Sequence, residues 1–149
     1  MSNIARDEGA HLARVTQLLV RRGGQLERGH ANPYAKALRL LVRKGGTNEI
    51  LDRLFNSALI EARSCERFGL LTQALGDSNN SEKSNDADLA ALYSALFTSE
   101  LGHYQAFLKL ARQIAPPEIV DARWQELLAK EAEIMAQQEP GPRMHAGWD

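Results

Sequence analysis

The chain has 149 residues, of which 44% are hydrophobic and 25% charged, and its formal net charge is -1. These values fit one globular domain, residues 1–149, that is long enough to bury a core, and they exclude a globally basic nucleic-acid binder. One cysteine, Cys65, cannot form an internal disulfide, which fits a reducing compartment. No apolar run approaches the roughly 18 residues of a membrane span, so we expect a cytoplasmic protein without a membrane partner.

Apolar residues recur every three or four positions through most of the chain, which predicts an all-α protein. A first helix is expected over residues 3–22, where the sequence RRGG supplies a basic last turn and a glycine stop. A short helix should begin near Pro33 and end before Gly45 and Gly46.

Three further helices are expected after the second glycine stop. Asn48 or Thr47 can cap a long helix that runs to about residue 75, and the polar sequence GDSNNSEKSNDAD follows it. The next helix is expected over about 86–115 and should end at the two prolines that follow it. A last helix over about 118–137 precedes an irregular tail, QEPGPRMHAGWD.

Two helices carry the same pair of polar residues within an apolar stripe. The stretch SELGHYQAFLKLA contains Glu100 and His103, and RDEGAHLARVTQLL contains Glu8 and His11. Residues three apart on a helix lie on one face, so each pair can direct a carboxylate and an imidazole to a common centre. Four-helix di-iron carboxylate proteins use two such pairs, with a lone Glu from each of the other two helices. The repetition therefore predicts a metal site.

The long helix between the two pairs offers two lone carboxylates, Glu61 and Glu66. They are about 140° apart around the helix, so both should not face one metal centre. Matching levels in an antiparallel hairpin places Glu100 opposite residue 62, which favours Glu61. The small residue Gly69, three positions after Glu66, favours Glu66 by analogy with ferritin-like site helices.

The same residues also allow a reading without a metal. A single Glu-x-x-His pair is a weak signal, and on many helices it serves in a cap or a surface salt bridge. Two copies inside apolar stripes favour a metal, because burying carboxylates without a cation costs several kcal/mol of hydration, to order of magnitude. Cys65 is interpreted as a small packing residue.

Four stretches together give the chain a family resemblance: MSNIARDEGAHLARV, LIEARSCERF, SELGHYQ and PRMHAGW. They resemble the tRNA isopentenyl-adenosine hydroxylases known as MiaE, which are ferritin-like, non-haem di-iron monooxygenases. The resemblance implies a ferritin-like helical bundle. It also implies an oxygen-dependent hydroxylation of the isopentenyl group of 2-methylthio-isopentenyladenosine beside the tRNA anticodon.

On that resemblance, Glu8 and His11 bind one iron, Glu100 and His103 bind the other, and Glu66 or Glu61 completes or bridges the pair. The implied cofactors are a di-iron centre and dioxygen, and the implied partners are tRNA and an electron donor protein. The implied candidates for contacts with tRNA are two arginines of the site helix and two residues of the tail: Arg63, Arg67, Arg143 and His145. The two arginines can equally form intrahelical pairs with Glu66 and Glu61.

Family members carry a further helix with a lone Glu before the first pair, and this chain is expected to lack it. The exposed apolar face would then favour a homo-oligomer or a partner that supplies the helix. The alternative function is a catalytically inactive or metal-binding ferritin-like protein that acts as an interaction module.

Overall fold

The computed structural model describes residues 2–26, 31–77 and 86–147. These ranges contain five helices and no strand: α1 (Ser2–Arg21), α2 (Pro33–Leu40), α3 (Gly46–Asp77), α4 (Ala87–Ile114) and α5 (Pro117–Ala136). The all-α prediction is therefore confirmed, and each helix lies close to its expected bounds. The connection at 78–85 lies outside the described residues. No helix in the described ranges is long and apolar enough to cross a membrane.

The first glycine stop forms as the sequence predicts. Gly23 has a positive φ of 79°, and its backbone N–H donates to Val20 O over 3.0 Å, while Gly24 N–H donates to Leu19 O over 2.9 Å. These two hydrogen bonds satisfy carbonyls of the last turn of α1 in a Schellman motif. The arrangement ends α1 at a defined residue.

The start of α3 differs from the expected cap. The helix begins at Gly46, so Thr47 and Asn48 lie inside its first turn and the prediction that one of them is the N-cap is wrong. Instead, Glu49 reaches back, and its Oε2 accepts a hydrogen bond of 2.9 Å from Gly45 N–H. A carboxylate in the first turn also interacts favourably with the helix dipole.

The chain divides into two compact units, and α3 and α4 contribute to both. Unit 1 comprises Met1–Ala31 and Cys65–Ser99. In it, Leu18 of α1 is buried, the rings of Phe68 and Tyr93 stack at 5.8 Å, and Arg22 forms 2.8 Å ion pairs with Asp86 and Asp88. The expectation of one domain over residues 1–149 stays a prediction.

Unit 2 comprises Asn32–Ser64 and Glu100–Asp149 and holds most of the apolar core. Its largest fully buried side chains include Tyr34, Leu38, Leu51, Phe55 and Leu127. The ring of Phe55 on α3 also meets Trp124 of α5 at a centroid distance of 5.2 Å. Helices α2, α3 and α5 therefore pack around one interior.

A buried carboxylate joins three segments of unit 2. Asp52 of α3 is fully buried. It accepts hydrogen bonds from Arg43 at 2.8 and 2.9 Å and from Arg123 of α5 at 2.9 and 3.0 Å. Burial alone would raise the pKa of Asp52, but these hydrogen bonds from Arg123 and Arg43 lower it below its usual value. Arg123 also donates to Leu41 O, so Asp52 fixes α5 and the segment after α2 against α3.

We predict that Asp52→Asn lowers the free energy of unfolding by about 3 kcal/mol, because Arg123 loses its buried charge partner and keeps the more exposed Glu126. Urea unfolding followed by helical circular dichroism measures this change. The matched control is Glu133→Gln on α5, whose exposed pair with Lys130 should contribute less than about 1 kcal/mol.

The stability that the ion pairs of Asp52 contribute should also depend on pH. Because the folded-state pKa of Asp52 is lowered, its stabilisation is present above the unfolded pKa of about 3.9 and is lost as the pH falls through the folded pKa. The stability gap between wild type and Asp52→Asn should therefore narrow below about pH 4. Equal losses of unfolding free energy in Asp52→Asn and Glu133→Gln would contradict this role. So would a stability gap between wild type and Asp52→Asn that does not change with pH.

Candidate metal centre

Helix α4 carries a buried carboxylate and a buried imidazole in an otherwise apolar stripe. Glu100 and His103 are each only 5% exposed, and they lie between Leu96 and Phe107, which are buried at the same spacing. The Oε2 atom of Glu100 lies 2.9 Å from Nδ1 of His103. The spacing on the helix thus brings the two groups together, as the sequence predicts.

Helix α3 adds a second carboxylate to this pair within unit 2. Glu61, Glu100 and His103 each offer one ligand atom, and these atoms lie within 4.8 Å of one another. We call these three residues the unit 2 cluster. Glu66, the other lone carboxylate, is exposed and lies in unit 1. The geometry therefore favours Glu61, as matching the levels of the two helices suggested.

The second predicted pair lies on α1 in unit 1. Nδ1 of His11 is 3.8 Å from Oε2 of Glu8, and the two side chains are 13% and 48% exposed. The carboxylate is thus much more accessible to solvent than Glu100. Its role as an iron ligand stays a prediction.

Two of the residues predicted to contact tRNA have specific partners inside unit 2. Arg63 forms a bidentate ion pair with Glu131 of α5, and the ring of His145 stacks on Tyr34.

The other two predicted contacts differ in exposure. Arg143 is exposed and donates to Glu139 O over 3.2 Å, whereas Arg67 is half-buried in unit 1. The role of all four residues in tRNA binding stays a prediction.

The sequence interpretation missed two charged residues on the buried face of α5. Val120, Arg123, Leu127, Glu131 and Met135 are all buried and recur every three or four positions. That spacing is the available signal, because a charged residue at a core position of a helix needs a partner. The partners are Asp52 for Arg123 and Arg63 for Glu131.

The donor atoms of the unit 2 cluster fit iron. Carboxylate oxygens are hard ligands, and imidazole nitrogen suits iron, zinc and copper. A Glu-x-x-His pair with a lone Glu is also the combination of ligands that di-iron carboxylate proteins use. Such groups on two long helices of an all-α chain are typical of the helical carboxylate proteins, a class that includes the ferritin-like proteins.

Comparison with solved structures agrees with this class. The chain is similar to a protein from Synechococcus described as protein 43 with aldehyde deformylating oxygenase activity. The TM-score is 0.81 and the identity 30%, over 98% of this chain and 70% of the other. The prediction of a ferritin-like fold is confirmed.

Sequence comparison identifies the family. Residues 1–146 match the family model described as tRNA-(MS[2]IO[6]A)-hydroxylase, MiaE, and the chain belongs to this family of tRNA-modifying enzymes.

Two curated relatives are each named tRNA 2-(methylsulfanyl)-N(6)-isopentenyladenosine(37) hydroxylase. The one from Pseudomonas putida is 38% identical over 99% of this chain and 67% of its own length. The one from Salmonella typhimurium is 33% identical over 97% of this chain and 49% of its own length. The predicted resemblance to MiaE is therefore confirmed.

We predict that Glu61→Gln weakens binding of ferrous iron by at least ~10-fold, because it replaces a charged ligand with a neutral amide. Anaerobic titration followed by metal analysis of the desalted protein measures the loss. Glu66→Gln, a matched change five residues along the same helix, should bind iron like wild type. The opposite pattern, with Glu66→Gln defective and Glu61→Gln normal, would assign the ligand to Glu66.

Proposed function

We propose that this protein is an iron-dependent tRNA hydroxylase. Its substrate would be the isopentenyl group of 2-methylthio-isopentenyladenosine beside the anticodon, and its oxidant would be dioxygen. The single observation that carries this proposal is the unit 2 cluster in a chain of the MiaE family: Glu61, Glu100 and His103 lie together on the helices of a ferritin-like fold.

The protein's part in this chemistry is to hold and shield the cofactor. Glu100 and His103 lie in a stripe of apolar side chains, which keeps bulk water away from the ligands and makes an uncompensated charge costly. Bound iron would supply the activation of dioxygen, which no amino-acid side chain provides. Glu61, Glu100 and His103 would hold the metal, and the fold would orient the substrate.

The proposed ligand set extends beyond the unit 2 cluster. A di-iron centre of this class uses two Glu-x-x-His pairs and two lone Glu residues. Glu8 and His11 supply the second pair by sequence, and Glu61 supplies one lone carboxylate. We propose that the other lone carboxylate comes from a further helix that packs beside α1, and a second copy of the chain is one source of such a helix.

An apolar stripe on α1 supports binding of such a helix. Glu8, Leu12, Val15 and Leu19 fall within about 60° of one another around the helix. Leu12 is 61% exposed and Val15 40% exposed. Exposed apolar side chains aligned on one helix face are typical of an interaction surface. The stripe also contains one of the proposed ligands, so a helix bound there would lie beside it.

We predict that Leu12→Lys weakens self-association, because a charge replaces an apolar contact at the centre of the stripe. Sedimentation velocity over a range of concentrations compares it with wild type. Leu40→Lys is the matched control, since Leu40 is 78% exposed on α2 and lies outside the stripe. A wild-type protein that is monomeric at every concentration would rule out a second copy as the source of the helix.

The remaining partners follow from the proposed reaction. Its substrate is tRNA. Hydroxylation with one atom of dioxygen also needs two electrons to reduce the other atom to water, so an electron donor protein is required. We propose that the protein acts on tRNA in the cytoplasm.

We predict that the wild-type protein, supplied to a host that lacks the hydroxylase, adds one oxygen atom to the isopentenyl nucleoside of tRNA. Mass spectrometry of the digested tRNA detects the product, and growth under labelled dioxygen should place the label in the new hydroxyl group. His103→Ala should abolish the product, because it removes a ligand from the unit 2 cluster.

Two outcomes separate this proposal from its alternative. A wild-type protein that binds at least one iron per chain without forming the product supports a metal-binding ferritin-like protein that acts as an interaction module. Fewer than one bound iron per chain in the reconstituted wild type would contradict the proposal of an iron-dependent hydroxylase.

A further inference from the structure

A buried carboxylate on α5 joins three elements of unit 2. Glu131 is 3% exposed. Its Oε1 accepts from Arg63 Nε over 2.7 Å and its Oε2 from Arg63 Nη2 over 2.9 Å. Tyr34 of α2 donates its hydroxyl to Oε1 over 3.1 Å. Three hydrogen bonds from two helices therefore satisfy one carboxylate, and two of them form the planar bidentate pair that only arginine can make.

The C-terminal tail covers the tyrosine of this network. The ring of His145 stacks on Tyr34 at a centroid distance of 4.9 Å and an interplanar angle of 13°, and Nδ1 of His145 lies 3.2 Å from Nδ2 of Asn32. Burial, and then the charge of Glu131, raises the pKa of Tyr34, so the phenol stays protonated and can donate. We call Arg63, Glu131, Tyr34 and His145 the Glu131 clamp.

The tail is folded back into a defined shape. The N–H of Gly147 donates to Glu139 O over 3.1 Å, and Ala146 is fully buried. A Cβ atom at Gly147 would overlap the carbonyl oxygen of Gln138, so the close approach of the two ends of the tail requires glycine there. These contacts hold His145 against Tyr34.

The clamp acts on the same turn of α3 that carries Glu61. Residues two apart on a helix point about 160° apart around its axis, so Arg63 faces α5 while Glu61 faces Glu100 and His103. A carboxylate lies roughly 6 Å from the helix axis, so rotation of α3 by about 10° would move it by about 1 Å. A displacement of about 1 Å can reduce catalysis by about 100-fold.

We propose that the Glu131 clamp fixes the rotation of α3 and thereby holds Glu61 in position to bind the metal. Arg63, Glu131 and His145 are then positioning residues of the centre. This inference rests on the proposed function, since it assumes that Glu61 is a metal ligand. It also gives Arg63 and His145 a role inside the protein in place of a contact with tRNA.

Glu131→Gln separates these two roles. The substitution keeps the size of the side chain but removes the charge that holds Arg63, so Arg63 would stay available to a phosphate. Positioning predicts Co²⁺ binding weakened by about 10- to 100-fold, as for other residues that orient metal ligands. It also predicts a shifted Co²⁺ absorption spectrum and a lower kcat with an unchanged KM for tRNA. Glu133→Gln, exposed on the same helix, should change none of these.

His145 provides a second test if Glu131→Gln does not fold. His145→Ala should shift the Co²⁺ spectrum in the same direction, and His145→Phe, which keeps a ring over Tyr34, should restore the wild-type spectrum. A role in tRNA binding predicts a different result. Both His145 variants would keep the wild-type spectrum, and Arg63→Ala would raise the KM for tRNA and reduce the salt dependence of binding by about one unit of slope.

The outcomes distinguish the clamp from the function on which it rests. A wild-type spectrum and affinity in folded Glu131→Gln, beside a wild-type protein that binds metal and hydroxylates tRNA, overturns the clamp alone. A wild-type protein that binds no metal overturns both.

Discussion

The burial of a carboxylate and an imidazole in the apolar stripe of α4 constrains the rest of the structure. Glu100 and His103 are as buried as Leu96 and Phe107 on the same stripe, and a carboxylate in such a place needs compensation for its lost hydration. The Glu61 carboxylate, which lies close to both, would add a second negative charge that needs compensation. A bound cation would resolve it, and this is the physical reason to interpret the unit 2 cluster as a metal centre.

Helix α3 carries polar groups on two opposite faces, which is uncommon for a helix in a core. One face has Asp52 and Arg63, paired with Arg123 and Glu131 of α5, while Glu61 points the other way. Compared with well-packed apolar residues, charged pairs of this kind contribute little net stability, although loss of one partner is costly, and they penalise any other rotation or register of the two helices. The pairs with α5 therefore fix the orientation of α3 more than they stabilise the fold, and that orientation sets the position of Glu61.

The sequence predicted the five helices and the meeting of Glu100 with His103, because both depend on spacing along one helix. It did not decide whether Glu61 or Glu66 is the metal ligand, since that choice needs the relative level of two helices. Glu131 was missed because the burial of a charged residue depends on a partner 68 positions away, Arg63. The predicted N-cap of α3 was wrong because the helix begins at Gly46, where Glu49 accepts a hydrogen bond from Gly45 N–H. Periodicity along the sequence thus predicted the helices, whereas the choice of Glu61 and the burial of Glu131 depend on contacts between residues far apart in the sequence.

Anomalous diffraction at the iron edge from crystals grown anaerobically with ferrous iron tests the central claim most directly. The account predicts a strong anomalous peak within coordination distance of the Glu61 and Glu100 carboxylates and the His103 imidazole. A map in which iron lies only on surface carboxylates, with Glu61, Glu100 and His103 bonded to protein groups alone, would contradict it.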